Sequence, residues 1–259
     1  MTEQRVQLFI EKLCKLNNSF VFKSEGDSVI VTYLPYDLEF VYVPSGIYNK
    51  GLSFNERVQA RKIDESILFE DTEMEYNENV FVQHILVTRT PILNAFAARY
   101  VDVDYFKGEE NYAAYLKREQ VDLLCNQLKL RLPTETEWEY FVRAGSKDLF
   151  AFGSQIPKDE ELEKWLNLDF SNLENNNCNA YGLYGLYTGE WCSDIYRKNR
   201  FSQYEKGFVI KGGGAYFWPW QSNEWIWCMS AMRMSSEGLL DGECGVRLVY
   251  DLNIRDLED

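Results

Sequence analysis

Histidine is almost absent from this chain of 259 residues, because His84 is the only one. A site built from two or three imidazoles is therefore excluded, and with it most zinc hydrolases and the iron enzymes that use two histidines and a carboxylate. His84 lies in an apolar run that predicts a strand over residues 81–89. We expect a structural role for its ring rather than a catalytic one.

The chain also lacks cysteines at metal-binding spacing and long hydrophobic runs. Its six cysteines form no C-x-x-C pair and no zinc-finger pattern. We expect them to be reduced and several of them to be buried as small core residues. No apolar stretch suits a signal peptide or is long enough to span a bilayer, so the sequence predicts a cytoplasmic protein outside the membrane.

Basic residues are scarce relative to acidic ones, with 27 Lys and Arg against 41 Asp and Glu, a formal net charge of -14. Such a surface repels phosphate backbones and anionic headgroups, so we expect no direct nucleic-acid partner and no membrane partner. The hydrophobic share of 46% and the aromatic share of 15% are typical of a folded globular protein.

Periodicity and turn residues give a coarse map of the chain. Residues 52–79 are rich in charged side chains and predict an exposed elaboration, with a solvated insertion favoured over a docking segment. Residues 145–207 are rich in Asn, Gly, Asp and Ser, which is typical of long loops that carry binding or metal sites. The predicted helices cover 3–16, 92–100, 108–128 and 134–143, and the predicted strands before residue 80 lie near 20–23, 28–34 and 40–46.

The clearest local signal is a helix start at Thr134. Thr134 and Glu137 form a capping box, in which the hydroxyl accepts one backbone N–H and the carboxylate accepts the other. Pro133 stiffens the chain just before the cap.

The same block, R-L-P-T-E-T-E-W-E-Y at 131–140, closely resembles the R-L-P-T-E-A-E-W-E-Y signature of the formylglycine-generating enzymes, also called sulfatase-modifying-factor domains. Other blocks resemble that family in the same order over roughly residues 39–251. They are F-V-Y-V-P-S-G at 40–46, I-L-V-T-R-T-P at 85–91, N-A-Y-G-L-Y at 179–184, E-W-C-S-D at 190–194, K-G-G-G at 211–214, S-A-M-R at 230–233 and G-V-R-L-V at 245–249.

The resemblance implies the fold of that family, a C-type-lectin-like α+β domain with short twisted strands, few helices and long ordered loops. It implies a sulfatase-modifying-factor-like domain over 39–259, with an insertion at about 52–79. Residues 1–38 would then be an N-terminal helix and strand extension packed on the main domain.

The chemistry of the family does not carry over with the fold. Formylglycine-generating enzymes bind copper(I) through two cysteine thiolates, which are five residues apart and follow the Gly-Gly-Ser turn, and soft thiolates suit that ion. Here the first position falls at about Phe217 and the second between Ser222 and Trp225, and neither is cysteine. The sulfoxide synthases of the same fold hold iron with three histidines, which this chain lacks. We therefore do not expect formylglycine generation.

The calcium sites of the family are also matched only in part. Calcium takes six to eight oxygen ligands, many of them loop carbonyls. The resemblance leaves Asn167 and Leu168 as one half of a calcium site, while the loop with the acidic partner is shortened and the second site lacks its Asn. Glu190 is expected to remain as a structural carboxylate. We expect no cofactor, with calcium as the one metal left open.

Tryptophan is concentrated where the family has its cysteines, with four of the seven in residues 215–228. Aromatic side chains supply large rigid contact areas and recur at interfaces. An alternative is that they fill the core, because alternation in an extended segment puts Trp218 with Trp220 and Trp225 with Trp227 on one face each. Arg233 suits a buried structural pairing better than a ligand anchor. The candidate ligand-binding residues are Tyr216, Trp218, Trp220, Trp225, Trp227 and Arg233.

Two functions from different classes remain open. The first is a non-catalytic binding or scaffold module that recognises an intracellular protein or peptide partner through the Trp-rich surface. The second is a metal-dependent oxidoreductase of the same family with non-standard ligands, such as Cys228 with Cys244 or carboxylates. The missing cysteine pair favours the first.

Overall fold

The computed structural model describes residues 3–25, 28–63, 65, 77–197, 207–213, 225–239 and 242–252. The helices are short, and they are α1 (Glu3–Leu16), α2 (Phe54–Ile63), α3 (Asn94–Ala97), α4 (Arg118–Leu128), α5 (Glu135–Arg143) and α6 (Asp159–Leu166). The strands are β1 (Phe20–Glu25), β2 (Ser28–Tyr33), β3 (Leu38–Val43), β4 (Gly46–Lys50), β5 (Asn77–Val82), β6 (Ile85–Thr88), β7 (Leu116–Lys117), β8 (Glu190–Ile195), β9 (Phe208–Lys211), β10 (Met234–Ser235), β11 (Glu243–Cys244) and β12 (Val249–Asp251). Few helices, short strands and long loops confirm the expected α+β fold. Within the described ranges, no helix has both the length and the apolarity needed to cross a bilayer.

The main sheet joins the two ends of the chain. Five antiparallel strands lie in the order β1-β2-β3-β6-β12. All four residues of β6 and the last four of β3 are buried, because these central strands are covered on both faces and so read as continuous apolar runs. Helix α1 matches its predicted range and contributes Ile10 and Leu13 to the core. The predicted domain boundary at residue 38 stays a prediction.

The strand predicted over 81–89 is in fact two strands in different sheets. β5 ends at Val82 and pairs with β4 in a two-stranded ribbon, where Phe81 lies opposite Ile47. β6 begins at Ile85 and pairs with β3 and β12. The apolar run is continuous in the sequence, but the chain turns at His84 from the ribbon into the main sheet.

The helix predicted over 108–128 forms only in its second half, as α4. Residues before it are held by partners distant in sequence, since Ala113 bridges to Leu93 and Tyr112 to Asp169. β7 then pairs with β11 immediately before α4 begins. These tertiary pairings override the helical pattern of the first ten residues. The helix predicted over 92–100 is likewise shortened to the single turn α3, followed by turns.

The insertion at 52–79 is better integrated than an exposed elaboration would be. Helix α2 buries Glu56 and Ala60, one turn apart on its inner face. Residues 64 and 66–76 lie outside the described part of the chain. The loop-rich stretch 145–207 contains α6 and β8, which the sequence did not predict.

Candidate binding site

Helix α5 begins at the predicted capping box. Thr134 Oγ1 accepts the N–H of Glu137 at 3.1 Å, and Glu137 Oε2 accepts the N–H of Thr134 at 2.8 Å. Asp194 Oδ2 accepts the N–H of Glu135 at 2.7 Å. These carboxylates satisfy backbone donors that the helix leaves unpaired, and they lie at the positive end of its dipole. The start of α5 is therefore fixed by side chains from two parts of the chain.

Trp138 of α5 reaches a fully buried ion pair. Its Nε1 donates to Glu190 Oε2 at 2.6 Å, and Arg247 Nη2 lies 2.9 Å from Glu190 Oε1. The same guanidinium donates to the carbonyl oxygens of Thr88 at 2.7 Å and Tyr184 at 2.6 Å. Both charged side chains are fully buried, and their polar atoms are satisfied inside the protein. This confirms the structural role predicted for Glu190.

A glycine turn at the end of β9 lies against the ring of Trp138. Gly212 and Gly213 have φ values of 90° and 85°, in the left-handed region that favours glycine. A Cβ on Gly212 would lie 2.8 Å from the Trp138 ring, and one on Gly213 would lie 3.0 Å from Cys228 Sγ. Gly213 and Cys228, which precede and follow residues 214–224 in the sequence, therefore lie close together.

A second buried network surrounds Glu139, the residue of α5 that follows Trp138. Glu139 Oε2 lies 3.3 Å from Lys211 Nζ, and Glu139 Oε1 lies 2.9 Å from Arg143 Nε. Arg143 Nη1 also pairs with Glu56 at 2.9 Å, which ties α2 to α5. Burial alone would raise the pKa of Glu139, but Lys211 and Arg143 outweigh it and hold that pKa below its usual value. Burial lowers the pKa of Lys211, and Glu139 offsets only part of that shift.

The predicted ligand-binding residue Arg233 makes contacts inside the protein. Its Nε lies 2.6 Å from Glu135 Oε2, and its Nη1 donates to the Arg197 carbonyl at 2.6 Å. The guanidinium carbon lies 5.0 Å from the centre of the Tyr196 ring. These contacts account for its half-buried position, as the structural alternative expects.

The Trp-rich segment is described only at its end. Tyr216, Trp218 and Trp220 lie outside the described residues. Trp225 and Trp227 lie in a short 3-10 helix, so the expected extended alternation is wrong for this pair. Both side chains are half-buried.

Trp225 packs on an aromatic cluster of the core. Its ring meets Phe150 and Phe152 edge-on, with centroids 6.5 and 6.4 Å apart. Phe152 also contacts Trp165 and Tyr187 at 6.2 and 5.2 Å. The end of the segment is thus anchored by packing, while part of each tryptophan remains accessible.

All six cysteines are free thiols, as expected. Cys228 and Cys244 are buried, and burial raises the pKa of Cys228 to about 12. Burial likewise raises the pKa of Cys244, whose Sγ donates to the Gly189 carbonyl at 2.8 Å. Burial therefore favours the neutral thiol at both positions, whereas the thiolate is the form that binds metals.

The predicted calcium half-site is occupied by hydrogen bonds. Asn176 Nδ2 donates to the Asn167 carbonyl at 3.0 Å, and the Ala113 N–H donates to the Leu168 carbonyl at 3.2 Å. Both carbonyl oxygens of the predicted half-site therefore already accept a hydrogen bond. Within the described ranges, no three His, Cys, Asp or Glu side chains come together in a way that could hold a metal ion.

His84 is held at the corner between β5 and β6. Its Nδ1 accepts the N–H of Ser45 at 3.1 Å and lies 2.6 Å from the Tyr42 hydroxyl, and its Nε2 lies 2.9 Å from Ser45 Oγ. A backbone donor at Nδ1 assigns the neutral ring proton to Nε2. These contacts agree with the expected structural role.

Sequence reasoning missed one feature of this face of the protein. A cavity of about 670 Å³ lies between α2, the β4–β5 ribbon and the end of α5. Three of the four side-chain amides that line it, those of Asn55, Gln59 and Asn79, come from the stretch 52–79, which the sequence predicts as a solvated insertion. The pairing of β4 with β5 and the ion pair of Glu56 with Arg143 bring the lining side chains together in the fold.

Comparison with known proteins places this architecture in a family. The family model of the sulfatase-modifying factor enzyme 1-like domain matches residues 100–252, more than half of the chain. Variable protein 1 of Treponema denticola is similar in structure, with a TM-score of 0.53 and 14% identity over 89% of this chain and 98% of that chain. PvdO from Pseudomonas aeruginosa is also similar, with a TM-score of 0.57 and 16% identity over 86% of this chain and 98% of that chain. At these sequence identities the two structures indicate a shared fold alone. The search of curated proteins found no match to the sequence. The chain therefore belongs to the family of sulfatase-modifying factor enzyme 1-like domains.

Proposed function

We propose that this chain is a non-catalytic binding module of its family, which recognises a protein or peptide partner through the Trp-rich segment 215–228. The observation that carries the proposal is the residue composition of that segment. Four tryptophans lie in the segment where the family has its metal-binding cysteines, neither cysteine is present, and the nearest thiol in the sequence, Cys228, is buried with a raised pKa.

The packing of the described end of the segment supports recognition. Trp225 packs on Phe150 and Phe152. A side chain that is already packed loses less conformational entropy on binding than a free one. Trp225 and Trp227 are half-buried, so each side chain is partly packed and partly accessible. Tryptophan is one of the residue types enriched at interface hot spots.

The environments of Cys228 and Cys244 do not favour the oxidoreductase alternative. Cys228 and Cys244 are both buried, and burial raises the pKa of each. The proposed compartment is the cytoplasm, where free thiols are the usual state, and all six cysteines here are free.

The first test measures metal content, because it separates the two functions at small cost. Purified protein should contain far less than one equivalent of copper or iron. One equivalent of either metal, lost in Cys228→Ala, would overturn the proposal and support the oxidoreductase.

The second test identifies a partner and locates its site. A displayed peptide library is selected on the purified chain, and the recovered peptide is titrated by calorimetry. Trp218→Ala and Trp220→Ala should each weaken binding by about thirtyfold or more, the effect of losing a hot spot of about 2 kcal/mol.

Phe106→Ala provides the matched control, because Phe106 is an aromatic residue that is 81% exposed on another loop. It should bind the peptide with unchanged affinity. If both tryptophan variants melt like the wild type and still bind equally well, the binding surface is not the Trp-rich segment.

A further inference from the structure

The cavity of about 670 Å³ between α2, the β4–β5 ribbon and the end of α5 has the size of a small-molecule site. Its walls come from residues 47–49, 53–59, 79, 140–147 and Tyr181, so the Trp-rich segment contributes nothing to its described lining. Helices and strands supply most of the wall, which makes its geometry more precise than that of a loop site.

Four side-chain amides line this cavity. Asn55 and Gln59 lie one turn apart on the same face of α2, and Asn49 and Asn79 lie on the ribbon. Asn49 Oδ1 accepts the backbone N–H of Asn79 at 3.2 Å. In the described part of the chain, the side-chain amides of Asn55, Gln59 and Asn79 make no hydrogen bond. Each offers two donors and an acceptor to a ligand.

The floor of the cavity is fixed by tyrosines. The Tyr48 hydroxyl donates to the Thr136 carbonyl at 2.8 Å, and the Tyr140 hydroxyl donates to the Pro44 carbonyl at 3.0 Å. The two rings lie 5.2 Å apart, and Tyr181 borders the same space. The floor therefore needs little rearrangement to bind a ligand.

The charge and apolar content of the wall restrict the ligand. Glu56 and Arg143 cancel each other as an ion pair at 2.9 Å, and the third charged lining residue, Lys147, is exposed to solvent, which screens its charge. Ile47 is the one aliphatic side chain among the described lining residues. A hydrophobic ligand, or the apolar anchors of a peptide, would meet few partners here. A neutral ligand with many hydroxyls would meet amides that donate and accept, and the exposed parts of tyrosine rings that can contact its C–H groups.

From these contacts we propose that the cavity binds a neutral polyhydroxylated ligand, a saccharide of a few units. The described lining of this site includes no residue of the Trp-rich segment, and the proposal does not depend on the function proposed for that segment. Asn55 and Gln59 bind the hydroxyls from α2, and the Tyr48 and Tyr140 rings form the base.

The test is saturation-transfer NMR on the full chain with maltotriose, mannotriose and chitotriose. Each trisaccharide is used at about 5 mM, which detects affinities in the millimolar range. At least one should receive saturation from the protein. Its affinity should fall about tenfold or more in Asn55→Ala/Gln59→Ala, which removes two hydrogen-bonding groups from the wall.

Asn126→Ala on the exposed side of α4 is the matched control and should bind like the wild type. Alanine favours helices more than Asn or Gln does, so all three substitutions are compatible with folding, and thermal melts verify this. Trp220→Ala should leave saccharide binding unchanged, which separates this result from that of the Trp-rich segment. No saturation transfer to any trisaccharide, or equal affinity in the double variant, would overturn the proposal. So would binding of the tetrapeptide Ser-Gly-Ser-Gly in the cavity without saccharide binding.

Discussion

The buried ion pair of Arg247 and Glu190 gives the sharpest test of how the core is held together. Arg247→Met keeps most of the side-chain length and removes the charge with all its donors. Among the described residues, the fully buried Glu190 carboxylate would keep only Trp138 Nε1 at 2.6 Å and Thr188 Oγ1 at 3.3 Å as partners. The carbonyls of Thr88 and Tyr184 would each lose a donor.

The cost follows from those contacts. Removing one partner of a buried pair costs about 3–5 kcal/mol, and each orphaned carbonyl adds about 1 kcal/mol. The sum is a large part of the stability of an ordinary domain, about 5–15 kcal/mol. We therefore expect Arg247→Met to lower Tm by about 10 °C or more, or to prevent folding.

A second substitution keeps the test interpretable. Glu190→Gln in the Arg247→Met background removes the unpaired charge and retains an acceptor for Trp138. It should recover about 2 kcal/mol or more relative to Arg247→Met alone. Both variants are measured by thermal and chemical denaturation followed by tryptophan fluorescence.

Lys23→Met provides the control for a surface pair. Lys23 lies 3.0 Å from Glu25 and 2.8 Å from Glu39, but its side chain is half-exposed. Its loss should cost no more than about 1 kcal/mol. If Arg247→Met were as mild as Lys23→Met, or if Glu190→Gln added to its cost, the ion pair would not hold the core as argued.

Glu139→Gln should flatten the loss of stability in acid. Neighbouring cations hold the pKa of Glu139 below the ordinary value of 4.5 although burial opposes them, so its stabilisation is complete above that pH and disappears as pH falls through the lower folded-state value. Thermal melts from about pH 3 to pH 7 measure the difference between the two slopes. Gly212→Ala should cost about 2–5 kcal/mol in chemical denaturation, because its φ is 90° and a Cβ would lie 2.8 Å from the Trp138 ring. If the Gly212→Ala variant had the same free energy of unfolding as the wild type, that geometry would be contradicted. Calcium at about 10 mM should change Tm by less than about 1 °C, since Asn176 Nδ2 already donates to the Asn167 carbonyl. A bound site with a Kd of about 0.1 mM would instead add about 2.7 kcal/mol, so a rise of several degrees would refute this.

The parts of the fold that the sequence predicts correctly depend on neighbours in the chain. The capping box joins Thr134 to Glu137, three residues away, so its pattern is visible without any tertiary information. Helix α1 shows its apolar face through Ile10 and Leu13, at helical spacing. The resemblance then supplies the remaining architecture, because its blocks are spread over the whole domain.

The missed parts depend on partners far away in sequence. Residues 81–89 read as one strand because periodicity cannot indicate that β5 joins a ribbon while β6 joins the main sheet. Glu56 looks like a solvated residue of an acidic insertion, yet Arg143 lies beside it from 87 residues further along the chain. A charged side chain is buried only with such a partner, and a single sequence does not reveal the partner. The cavity beside α2 escapes notice for the same reason.

The signature block is informative about the scaffold because its side chains are used up by the scaffold. Glu137 caps α5, Trp138 donates to Glu190, and Glu139 pairs with Lys211 and Arg143. The polar groups of these three side chains bond to other parts of the protein. The block therefore specifies the fold and not the reaction that the fold supports. The reaction of the family depends on thiolates some eighty residues later, where the chain has aromatic residues and where the nearest thiol, Cys228, is buried. A chain can therefore keep the signature without keeping the reaction, because folding maintains the first set of residues without any requirement on the second.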